Sequence, residues 1–74
     1  MSRDDPSSVE LRVNGDVRTF HEVDSVAALV AALGCDPRTV AVELTGRIVR
    51  REQFPEQALG DGDRVEVVRF VQGG

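Results

Sequence analysis

Lysine, tryptophan and tyrosine are absent from this 74-residue chain, and cysteine and histidine occur once each. Each absence excludes something. All nine basic residues are arginine, so no side-chain amine is available for building isopeptide-linked chains on this protein. A lone cysteine, Cys35, cannot form an intramolecular disulfide, which fits a reducing compartment where small domains stand without such staples. A lone histidine, His21, leaves no multi-His or Cys/His set for zinc, and no metal site is expected. With three phenylalanines as the only aromatics, valine, leucine, isoleucine and alanine must fill the core. No apolar run approaches the roughly 20 residues that cross a bilayer, and the N-terminus lacks an apolar signal core. A cytoplasmic protein without membrane association is therefore expected. The net charge of −4 argues against nucleic acid, which requires a clustered basic patch, and Arg50-Arg51 is too short to be one.

The length allows one small domain, and a chain of this size buries only about 60% of its unfolded surface. Residues 1–8 are polar, carry Pro6 and read as a disordered lead-in to a domain over 9–70. Val9 to Val13 alternates apolar and polar residues as a half-buried strand does. Asn14-Gly15-Asp16 is a turn sequence, and Val17 to Phe20 is the return strand of a hairpin. Asp24 and Ser25 are N-cap candidates for a helix in which Val26, Leu29, Val30 and Leu33 share one face, with Gly34 placed to end it. Val40–Leu44 and Arg47–Arg50 are two further strands around a turn at Thr45-Gly46. An irregular crossover from Glu52 to Leu59, a tight turn at Gly60–Asp63 and a last strand over Arg64–Phe70 complete the domain. The fold class predicted is α+β: a mixed sheet of four to five strands packed on one main helix, with the first and last strands adjacent at the centre. That is the ubiquitin-like β-grasp arrangement.

After the last strand come Val71-Gln72-Gly73-Gly74, expected to be a flexible tail. A diglycine end is informative when the terminal carboxylate is the reactive group. Glycine lacks Cβ and threads a narrow channel, and an achiral residue cannot racemise when its carboxylate is activated. Elsewhere little chemistry can be assembled. Cys35 lies just past a helix C-terminus, where the dipole disfavours a thiolate, and it reads as a packed or half-exposed thiol. The carboxylates scatter over turns and strand faces, and no phosphate-cradling loop or Ser/His/Asp set can be built. No catalytic residue is assigned, and the chain reads as a substrate or carrier for enzymes. In the last strand Val65 and Val67 point one way and Glu66, Val68 and Phe70 the other. With the first pair in the core, Val68 and Phe70 form an exposed apolar docking patch beside the tail.

The order of elements, together with Ser25–Leu29, Val40–Leu44, Leu59–Val68 and above all the ending Phe70-Val71-Gln72-Gly73-Gly74, resembles the sulfur-carrier branch of the ubiquitin-like superfamily. The match is nearest to ThiS, the family of sulfur carriers in thiamine biosynthesis. That family commonly has Asn-Gly where this chain has Thr45-Gly46, and often Pro and Trp where Arg50 and Phe54 stand. The resemblance implies that an E1-like adenylating enzyme of the ThiF type uses ATP-Mg to convert the Gly74 carboxylate to an acyl-adenylate. A sulfur donor such as a cysteine desulfurase then leaves a thiocarboxylate, which a thiazole synthase of the ThiG type consumes. Gly74 would carry the sulfur and Gly73 would keep the arm thin. Val68, Phe70, Val71 and Gln72 would serve docking, and the carrier itself would bind no cofactor. The small subunit of molybdopterin synthase shares fold and chemistry, but its members often carry prolines before the terminal glycines, and residues 69–72 contain none. Carriers serving other sulfur metabolites, a ubiquitin-like protein modifier and a plain interaction module remain alternatives.

Overall fold

The structure, a computed structural model, describes residues 7–70. Strands β1 (Ser8–Val13) and β2 (Asp16–His21) form a hairpin, followed by helix α1 (Val26–Ala32) and a 3-10 turn at Pro37–Thr39. Strands β3 (Val40–Leu44) and β4 (Arg47–Val49) form a second hairpin, and a 3-10 turn at Arg51–Gln53 leads through the crossover to β5 (Arg64–Arg69). The five strands make one sheet in the order β2-β1-β5-β3-β4, with β1 and β5 parallel and the other pairs antiparallel. The first and last strands lie side by side, as the β-grasp arrangement requires.

Differences from the sequence reading lie at element ends. Ser8 belongs to β1 because it pairs with His21, and the Ser7 carbonyl accepts the Glu22 N–H at 2.6 Å. The ordered hairpin thus includes two residues assigned from sequence to the lead-in. β4 stops at Val49, since Arg50 has turned out to cap the following 3-10 turn. β5 stops at Arg69, although the Phe70 N–H still donates to the Thr39 carbonyl at 2.9 Å.

Helix α1 follows from its sequence at both ends. Ser25 has extended backbone angles and its hydroxyl oxygen accepts the Ala28 N–H at 3.1 Å, so Ser25 rather than Asp24 is the N-cap. The Val26 and Ala27 N–H groups, which no helical carbonyl reaches, donate to the carbonyls of Gln57 and Phe54. The irregular crossover is thereby fastened to the helix start. At the other end the Gly34 N–H donates to Ala31 and the Cys35 N–H to Val30, with Gly34 at φ +75°: a Schellman motif. Val26, Leu29 and Val30 are buried and Leu33 is half-buried, all on the face read from the spacing. They pack on Leu11, Val42 and Val65 from the three central strands, and Phe20 and Phe54 close the two flanks.

Candidate functional site

β5 is the strand that leads to Gly74, so its surroundings define the site. The Phe70 N–H bonds Thr39 and the Thr45 N–H bonds Arg64, which places Ala41 with Val68 and Glu43 with Glu66 as hydrogen-bonded pairs. Alternation then sends Val65, Val67 and Arg69 to the helix side and Glu66 and Val68 to the outer face. Burial agrees: Val65 is fully buried and Val67 half-buried, whereas Val68 is 57% and Phe70 44% exposed. Val68 and Phe70 therefore form an exposed apolar pair at the outlet of the sheet, as the sequence indicates. Val71, Gln72, Gly73 and Gly74 lie outside the described residues.

One neighbour of that pair was missed from sequence. Ile48, 74% exposed, sits opposite Glu43 and diagonal to Ala41, so an apolar strip of Ile48, Ala41, Val68 and Phe70 crosses three strands. Strict alternation against the buried Val49 would have found it. Glu43 and Glu66 face each other beside the strip, an arrangement of like charges that costs the sheet a little and supplies an acidic margin.

On the opposite face the Arg69 guanidinium reaches to 3.5 Å from Cys35 Sγ. Cys35 is half-buried, as expected of a thiol in a helix-terminating motif. The contact raises the Arg69 guanidinium above its ordinary value, which changes nothing functionally because the group is charged at any physiological pH. Asp36, next in sequence, accepts bonds from the Arg38 guanidinium and backbone N–H, and these hold its exposed carboxyl below its ordinary value. Among the described residues no group of three or more His, Cys, Asp or Glu could hold a metal ion. No described helix is long and apolar enough to cross a membrane.

The order of the strands and the one α-helix among the described residues define a ubiquitin-like β-grasp domain, with an exposed apolar strip beside the outlet of its last strand. Comparison with known proteins places it further. The model of the ThiS family matches residues 11–74, and the chain belongs to that family. It is 34% identical to the sulfur carrier protein ThiS of Bacillus subtilis over 65 residues, covering 86% of this chain and 98% of that one. It is 41% identical over 66 residues to a thiazole synthase of Paramagnetospirillum magneticum, covering 89% of this chain. This chain spans about a fifth of the length of the thiazole synthases it matches. The crystal structure of a thiamine biosynthesis protein (ThiS) from Geobacter metallireducens superposes with a TM-score of 0.74 at 36% identity, covering 89% of this chain and all of that one.

Proposed function

We propose that the chain is a sulfur carrier of thiamine biosynthesis whose Gly74 carboxylate is the working group. The observation that carries this reading is the family match over residues 11–74, which runs through Gly73-Gly74 at the end of an intact β-grasp domain. A carboxylate is a poor electrophile, so an E1-like adenylating enzyme of the ThiF type must first couple it to ATP-Mg, releasing pyrophosphate and leaving an acyl-adenylate. A persulfide sulfur from a cysteine desulfurase or similar donor displaces AMP. Cleavage of the resulting acyl disulfide by a second thiol leaves the Gly74 thiocarboxylate. That sulfur is a soft nucleophile, and a thiazole synthase of the ThiG type takes it into the thiazole ring. In two relatives the matching region is a fifth of a thiazole synthase, which supports direct docking of this domain on such an enzyme.

On this reading the chain is a protein substrate in the cytoplasm, catalyses nothing and binds no cofactor of its own. Gly74 and Gly73 are the transferred end, with Val68, Phe70, Val71 and Gln72 serving the enzymes that grip it. Family membership favours this over the molybdopterin synthase subunit and over a protein modifier. Deletion of Gly74 is the test. The buried core runs from Val9 to Val65, so the melting temperature should stay within error of the parent while sulfur transfer is lost. Retained activity without Gly74 would make the domain an interaction module instead.

A further inference from the structure

The parallel ladder between β1 and β5 extends past the end of β1. Along it the Arg12 N–H donates to the Asp63 carbonyl and the Asn14 N–H to the Val65 carbonyl, both at 2.9 Å. The next acceptor in such a ladder would be the Asn14 carbonyl, and the next donor the N–H of residue 16. Neither is in place, because the chain reverses at Asn14 and Gly15, with φ of 52° and 88°. The Asn14 side chain takes over both roles. Its Oδ1 accepts the Val67 N–H at 2.8 Å and its Nδ2 donates to the Val67 carbonyl at 3.2 Å. A primary amide offers the same donor and acceptor as a peptide group, and the short asparagine side chain sets them against β5.

β5 consequently has partners on both sides as far as Val67. From there to Phe70 it is held from the β3 side, through pairs such as Phe70 with Thr39. We infer that Asn14 is a positioning residue: its side-chain amide extends the central ladder and so sets where the chain bound for Gly74 leaves the sheet. Without that amide the β1 side would release β5 at Val65, two residues earlier, and Val67 to Phe70 would be held from β3 alone. A strand end held from both sides has less freedom to lose when a partner docks on it. The functional half of this inference rests on the sulfur-carrier reading, whereas the structural half does not.

The turn chemistry supplies a clean variant. Asn14→Gly keeps a residue tolerant of positive φ and removes the side chain that carries the amide. Asn14→Asp keeps an acceptor for the Val67 N–H and loses the donor to its carbonyl, so it should fall between the two. The first measurement is amide hydrogen exchange in the intact folded protein. In Asn14→Gly, Val67 should exchange faster through loss of its acceptor, and Phe70, which is bonded to Thr39, should also exchange at least several-fold faster, while the Leu11 amide keeps its parent rate. Acceleration at Val67 alone would overturn the inference, leaving Asn14 as a local bond.

The second measurement is pyrophosphate release by the adenylating enzyme of the same organism, with ATP saturating and the carrier varied. Val67 to Phe70 keep their β3 bonds in the variant, so the loosening amounts to about one residue's worth of ordering at docking, and the half-saturating concentration of Asn14→Gly should rise about tenfold with the saturated rate kept. An unchanged half-saturating concentration would overturn positioning even if exchange accelerates. A parent protein that elicits no pyrophosphate release would overturn the carrier reading and the functional half with it. The exchange data would still decide whether Asn14 anchors β5.

Discussion

Replacing Val68 and Phe70 together by alanine should weaken docking to the adenylating enzyme by about 30-fold. Val68 is 57% and Phe70 44% exposed, so roughly half of each side chain is already buried in the free protein. Complete burial of such side chains stabilises by about 1.5–3 kcal/mol each, which leaves about 1 kcal/mol per residue for a partner to gain. Two residues then supply about 2 kcal/mol, or about 30-fold in dissociation constant. The half already buried is also lost, at about 2 kcal/mol of stability and therefore a fall of about 10 °C or somewhat more in Tm. A domain of this length is expected to hold about 4–11 kcal/mol in total, so the variant remains folded at room temperature. Calorimetric titration well below its melting midpoint separates the two effects. Val17→Ala is the control, because Val17 is 54% exposed but lies on β2, at the far edge of the sheet. Parent-like affinity of the double variant, or equal weakening by Val17→Ala, would refute a docking surface centred on the β5 outlet.

Three further outcomes concern the domain itself. Leu29 is fully buried against the sheet, so Leu29→Ala should cost about 2–5 kcal/mol by opening a cavity, and an unchanged denaturation midpoint would contradict the helix packing. Thr45 sits at φ 53° in the β3–β4 turn, a region that costs a β-branched residue dearly. Thr45→Asn should stabilise by about 0.5–1 kcal/mol, and a thermal melt showing no gain would contradict strain at that turn. Asp36 bonds Arg38, so its folded-state carboxyl should titrate below the ordinary 3.8 in an NMR titration. Its small contribution to stability is then present above the ordinary value and lost as the pH falls through the folded one. A midpoint at or above 3.8 would remove that contribution.

Local rules account for what the sequence disclosed. Ser25, the Val26–Leu29–Val30–Leu33 spacing and Gly34 each act within a few residues, and the structure uses each in the role its chemistry suggests. The adjacency of β1 and β5 was also legible, because one helix and two hairpins leave few ways to cover a single core. What stayed hidden depends on partners distant in sequence. Asn14-Gly15 announces a turn, but the Asn14 bonds to Val67 span 53 positions and exist only once β5 lies alongside. Likewise the Arg69 contact with Cys35 and the fastening of the crossover to α1 through Phe54 and Gln57 carry no local signature. Thr45 at positive φ is the reverse case, a local preference overridden because the hairpin pairing of Leu44 with Arg47 demands a two-residue turn. At the site, the apolar pair Val68 and Phe70 was readable from alternation, whereas the strip that extends it to Ile48 needed the strand order.

Whether Gly74 carries sulfur is read from high-resolution mass spectrometry of the C-terminal peptide. The protein should be isolated from cells that contain its native partners, and fragmentation must localise the change, since oxidation of Met1 or Cys35 adds nearly the same mass. Sulfur in place of one carboxylate oxygen on Gly74 is the result expected of a sulfur carrier. An unmodified Gly74, with the adenylating enzyme and sulfur donor present and active, would contradict that role.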